Sequence, residues 1–358
     1  MQLKSINLLS IGLVLGTVLI DAPQTIAESA TSTNQLTPKR ALLVLSKAAH
    51  TLAIVDPSTL KVVARAPVGA DPHEVIASSD GKTAYVSNTG SGRFHELNAI
   101  DLVAQKPLPN IDTGALIGPH GLTFVGGKVW FTAEGAKSVG RYDPQTSQFD
   151  WILGTGQNRT HMLHVTADGK SVYTTNVDSG TVSILENVLI QPTMPPTGVL
   201  PPGAKPRLDW IETVIPVAKG CEGFDVSPDG KELWTAAAGD GSVTIIDPST
   251  KKVTASIDAK IFGANRLKFT PDGKRVVISS LRSGDLFIFD VASRKELKRV
   301  NIGHGAAGIL IDADGARAFV GCTADDYVAV VDLKSLEVAG HIDAGGKPDG
   351  LAWAIQSP

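Results

Sequence analysis

The chain has 358 residues, 42% of them hydrophobic, 19% charged and 5% aromatic, with a formal net charge of −3. That hydrophobic content excludes a wholly disordered chain, and near-neutral charge excludes nucleic acid as the main partner, because phosphate-backbone binding needs a basic surface. Two cysteines exclude a disulfide framework and a Cys-rich zinc site, and no Cys-x-x-Cys-His run is present to attach haem covalently.

The N-terminus reads as an address. Lys4 supplies a positive start, residues 6–20 form an uncharged and mostly apolar core, and small residues precede a cleavage point after Ala27 or, alternatively, Ala30. The apolar run is shorter than the ~20 residues a membrane span needs, which favours a signal peptide over an anchor. The expectation is a periplasmic or secreted protein with no integral span after removal of residues 1–27. Residues 28–39 are small and polar and read as a flexible lead-in.

From residue 40 onward the chain repeats. An apolar run ending in Asp recurs at Asp56, Asp101, Asp143, Asp247, Asp290 and Asp332, with Glu186 at the same point, at spacings of 45, 42, 43, 61, 43 and 42. Asp-Gly-Lys keeps the same beat at Asp80, Asp168, Asp229 and Asp272, with degenerate forms at Gly126 and Asp314. Each repeat holds four short β-type runs, and Asp-Gly between the first two is a tight-turn signal. Four strands in ~43 residues is the unit of a β-propeller blade. Residues 40–358, less the extra length of the 61-residue spacing, divide into seven such units. The chain enters on second- and third-strand sequences (ALLVLS, TLAIVD) and stops after a first-strand sequence (GLAWAIQ). These complete one blade between them and remove the open edges. The expected fold is all-β, a seven-bladed propeller over 40–358.

The long spacing contains Pro192, Pro195, Pro196, Pro201, Pro202 and Pro206. Proline cannot continue a ladder, so about 188–209 reads as an extended surface loop, or as a docking arm.

Tyr85-Val86-Ser87-Asn88, with looser copies at Tyr173–Asn176, Trp234–Ala236, Val277–Ser279 and Phe319–Gly321, resembles the motif that names the YVTN-type β-propeller repeat family. Pro72-His73 and Ser-Pro-Asp-Gly-Lys at 227–231 resemble it too. Relatives of that type include secreted binding proteins, surface-layer components and enzymes such as lactonases and lyases. The resemblance therefore implies the fold and leaves the activity open.

The first strand of each propeller blade lines the central channel. Aligning the repeats puts His73, His120, His161, Glu222, Asn265, Ala307 and Asp349 at one equivalent position near one mouth. Imidazole nitrogen suits Zn or Cu, and a carboxylate completes such a shell; His73, His120, His161 and Glu222 are the candidate metal ligands. Without metal, His161 is a candidate general base, with Glu222 or Asp349 as acid or counter-charge. Arg266, beside Asn265, is suited to an anionic ligand. The competing reading is that Pro-His recurs because the repeat recurs and its imidazole hydrogen-bonds between blades. Two functions stand: binding of a small molecule or protein partner at the His-lined mouth, or a metal-dependent or His-based enzyme (hydrolase or lactonase, lyase, or oxidase) at the same place. A closed ring is expected to be monomeric.

Weaker candidates surround the ring. His164 lies in the first strand of blade three, His304 three residues before a ring position, and His50, His95 and His341 elsewhere. Cys221 precedes Glu222, and Cys322 ends a second strand; buried free thiols are the default for both. Asp178, Asp240, Asp285 and Asp325 sit in loops on the ring face without the spacing of a calcium loop. Asn158-Arg159-Thr160 matches a glycosylation sequon.

Overall fold

The computed structural model describes residues 36–357, so the expected signal peptide lies outside the described residues. The rest is all-β: seven antiparallel sheets stand around a channel as blades. Blade one comprises Pro72–Ala77, Thr83–Asn88 and Glu96–Asp101, with a fourth strand broken into Lys106–Pro107 and Ile111–Asp112. Pro107 and Pro109, which lack the N–H a ladder needs, account for the break. The ring closes as expected: Pro348–Ile355 pairs with Arg40–Ser46, which continues into Thr51–Asp56 and Lys61–Pro67.

The two repeat markers are turn caps. Asp56 Oδ1 accepts the backbone N–H of Ser58 at 2.8 Å, and Asp332 does the same for Lys334 at 2.8 Å. Asp80 Oδ1 accepts from the Lys82 N–H at 3.0 Å and from the Ser78 hydroxyl at 2.6 Å, and Asp168, Asp229 and Asp272 repeat that pattern. These are local Asx turns that end one strand and begin the next. Between blades the alternate faces of the strands meet. Leu43, Ile54, Val75, Val86 and Ile100 are fully or almost fully buried where blade seven packs on blade one.

The insertion differs from expectation. Thr181–Ile190 and Arg207–Pro216 pair without a break to Ile190↔Arg207, so only 191–206 lies off the ladder rather than 188–209. Val188, Leu189 and Ile190 are strand formers, and the first proline comes only at 192, so the hairpin runs on until proline stops it.

Candidate functional site

All seven ring residues occupy the second position of their first strands. At this point each ladder carries a β-bulge. In blade one Pro72 pairs with Asn88 and Val75 with Val86, so His73 and Glu74 together face the single residue Ser87. Likewise His120 and Gly121 face Thr132, His161 and Met162 face Thr175, and Asn265 and Arg266 face Ser279. A bulge re-aims side chains and leaves backbone groups off the ladder. Here the opposing hydroxyl takes them up. Thr132 Oγ1 accepts the Gly121 N–H at 2.9 Å and donates to the His161 carbonyl of the next blade. Ser87 accepts from Glu74 N–H at 3.2 Å and donates to His120 O at 2.7 Å; Ser279 does the same between Arg266 and Ala307. Each relay therefore fixes the strand that carries the next ring residue.

The three histidines meet at one mouth. The His73 and His120 rings are 4.9 Å apart and those of His120 and His161 3.8 Å apart. His120 and His161 are each 2% exposed. Burial, reinforced for His120 by the neighbouring imidazoles and for His161 by the Arg266 charge, pushes both well below the usual imidazole range. Glu134, in the turn after Lys128–Ala133, joins them. Its Oε1 accepts from His161 Nδ1, and burial raises its carboxyl against the opposing pull of Arg159. Ligand atoms of His120, Glu134 and His161 all lie within 4.8 Å of one another, the one such group of His, Cys, Asp and Glu among the described residues. Ligands of a tetrahedral ion at ~2.0–2.1 Å stand about 3.3 Å apart, so binding an ion would draw this set together and exchange the Glu134 contact with His161 Nδ1 for the metal. His120 Nδ1 and His161 Nε2 are buried without a hydrogen-bond partner, which is costly for a polar nitrogen and fits an imidazole that accepts a metal. The chain therefore holds a buried His/His/Glu cluster able to coordinate a metal or a ligand.

Two expected metal ligands stand outside that cluster. His73 Nε2 accepts from Lys47 Nζ at 2.7 Å, which places the proton on Nδ1, where it is shared with the Asp71 carbonyl at 3.0 Å; both nitrogens are used. Glu222 accepts from Asn265 Nδ2 at 2.6 Å and from Arg159 at 3.2 Å. Asp349, 7% exposed, accepts from Lys47 at 3.1 Å. Arg266 reaches across the channel to Glu74 at 2.5 Å. Burial alone would lower its guanidinium, but Glu74, Asp349 and Glu222 outweigh that and hold it above its ordinary range. Ala307 supplies only a wall. A cavity of about 500 Å³ is lined by ring residues from His73 to Asp349, and a second of about 630 Å³ continues from it past His73, His120 and Arg159 towards Glu134.

The weaker candidates serve elsewhere. His164 stacks on Tyr173 at 5.8 Å rather than backing His161, because it pairs with Tyr173 across the ladder. His304 and His95 pair on the surface with Asp325 and Asp112. His341 packs on the Tyr327 ring. Both cysteines are free and buried; Cys221 Sγ lies against the Asn176 and Thr181 carbonyls, and burial raises its thiol to about 11. Asp240 caps Ser242, and Asp285 accepts from Asn301.

Sequence reasoning missed Glu134, Glu74 and Lys47, and noted Arg159 only inside a sequon. One signal was available. The residue after each second strand is Lys47, Thr89, Glu134, Val177, Ala238, Leu281 or Thr323, and only the two charged ones enter the histidine network. Glu74 depended on the bulge, which leaves no mark in a period-2 pattern.

A family model described as YNCE-like beta-propeller matches residues 205–354. The match covers fewer than half of the residues and points to YNCE-type propellers rather than specifically to the YVTN-type repeat family. No curated protein matches the chain. Among solved structures, a proposed 6-phosphogluconolactonase from Bacteroides uniformis ATCC 8492 superposes with TM-score 0.69 at 13% identity, covering 88% of this chain and 100% of that one. A functionally unknown protein from Desulfotomaculum acetoxidans DSM 771 gives 0.67 at 14%, covering 88% and 99%. The Kuenenia stuttgartiensis hydrazine synthase gives 0.62 at 17%, covering 80% and 90%. At these identities the likeness is one of fold: a seven-bladed propeller. Among the described residues no helix is long and apolar enough to cross a membrane.

Proposed function

We propose that this chain is a metal-dependent enzyme with its centre at the channel mouth, where His120, His161 and Glu134 hold a divalent transition ion such as zinc. Two observations carry this: His120 Nδ1 and His161 Nε2 are buried without a partner, and ligand atoms of His120, His161 and Glu134 lie within 4.8 Å of one another. Two histidines and one carboxylate leave a coordination position open, as catalytic zinc sites do. An ion there would polarise a carbonyl or phosphoryl oxygen and lower the pKa of a bound water. Hydrolysis or a lytic cleavage of a small molecule is the reaction class this supports. The YVTN-like motifs at Tyr85–Asn88 and its copies add the fold but no chemistry.

The test is stoichiometry. Chelator-stripped protein without a His tag is titrated with Zn²⁺ and Cu²⁺ by calorimetry. One equivalent is expected, lost in His120→Ala and His161→Ala and weakened at least tenfold in Glu134→Gln. Uptake below about a tenth of an equivalent overturns the reading. We also infer export, supported by Lys4 and the apolar run at 6–20; a purified native protein that still begins at Met1 would refute it.

A further inference from the structure

The residue immediately before the first strand has a left-handed backbone in every blade. In four blades it is glycine, with φ between 66° and 83°; in the other three it is Asp71, Arg159 and Lys347, with φ of 53°, 57° and 52°. Glycine adopts this region without steric cost, and Asp is tolerated there through local hydrogen bonds. Lys137, Lys251, Lys260 and Arg294 adopt the same region in other turns. At a position where this fold elsewhere uses glycine, the chain holds two long cations, and both line the cavity above the histidines.

Their charges point one way. Lys47 is matched by Asp349, Arg266 by Glu74 and Arg159 by Glu222. Lys347 Nζ has no ion pair among the described residues, and its side chain is exposed at the rim. Arg159 also leans on Glu134 at 3.5 Å, so a metal ion that engages Glu134 frees that arm of the guanidinium. Asp71 also faces Lys47 at 3.8 Å, so these carboxylates outnumber the cations by one and a divalent ion turns the sum positive.

We propose that Arg159 and Lys347 form an anion-binding collar over the His120–His161–Glu134 centre, and that its ligand is a small molecule bearing a carboxylate or phosphate. The cavity of about 500 Å³ admits a molecule of that size. The charge argument and the substrate assignment both rest on the metal-enzyme reading.

The experiment titrates inorganic phosphate and malonate into zinc-loaded and chelator-stripped protein by calorimetry. At least one of the two is expected to bind, more tightly with zinc. Arg159→Gly and Lys347→Gly are each expected to weaken binding tenfold or more, and Lys347→Arg to restore it. Lys347→Gly is also expected to raise Tm, because glycine relieves the backbone at that φ. Wild-type protein that binds neither anion, or glycine variants that bind as well as wild type, would overturn the collar. Zinc uptake is read separately without anion. No uptake together with charge-dependent anion binding would sink the metal centre and leave the collar; uptake without anion binding would do the reverse.

Discussion

Thr132→Val isolates the hydroxyl relay that seats His161. The substitution is nearly isosteric, and Thr132 is 0% exposed, so neither a cavity nor a surface change enters. What it removes is the acceptor for the Gly121 N–H and the donor to the His161 carbonyl. Both backbone groups lie off the ladder because of the bulge, so no strand partner replaces the lost bonds. Leaving one buried polar group unsatisfied costs about 1–3 kcal/mol, so two predict a loss of about 2–6 kcal/mol. Thr132→Ser keeps the relay and forfeits one methyl, about 1 kcal/mol. Urea unfolding at neutral pH reads both, with an unchanged slope showing that the same surface is exposed. Zinc affinity is expected to fall in the valine variant and hold in the serine variant, since the carbonyl released is that of a ligand residue. A valine variant within about 0.5 kcal/mol of wild type, or a serine variant as unstable as valine, would refute the relay.

Arg266→Met strands the Glu74 carboxylate in the channel wall without its cation, and removing one partner of a buried pair costs about 3–5 kcal/mol. Arg266→Met/Glu74→Leu should recover most of that; a single variant that loses less than about 1 kcal/mol would show the pair to be solvated. Metal-free protein should lose stability in mild acid. His120 and His161 have folded-state pKa values below the unfolded value of ~6.5, so the unfolded chain binds protons first and stability falls as pH drops through that value. Between pH 7.5 and 5.5 the loss should approach about 1.4 kcal/mol for each imidazole. Equal urea midpoints at the two values would refute their burial as neutral rings.

Much of this molecule is legible in its sequence because a propeller writes its period twice. The Asp that ends each third strand and the Asp of each Asp-Gly-Lys turn satisfy nearby backbone N–H groups, so their chemistry is local and survives in the pattern. Blade number, ring closure and the shared position of His73, His120 and His161 follow from that period. The long hairpin was misjudged at its edges because composition marks proline, whereas the ladder ends only where the last β-former does.

The sequence by itself determined which residues stand on the same strand position around the channel. Only the tertiary structure decided which of them meet, because that depends on contacts between blades and on bulges that no local pattern records. The bulge brings Glu74 to the channel beside His73, the turn after a second strand delivers Glu134 to His161, and Lys47 from the closing blade occupies His73. Equivalent positions in the repeat thus acquire unequal partners, and the metal-competent set becomes His120, His161 and Glu134 rather than three histidines in a row.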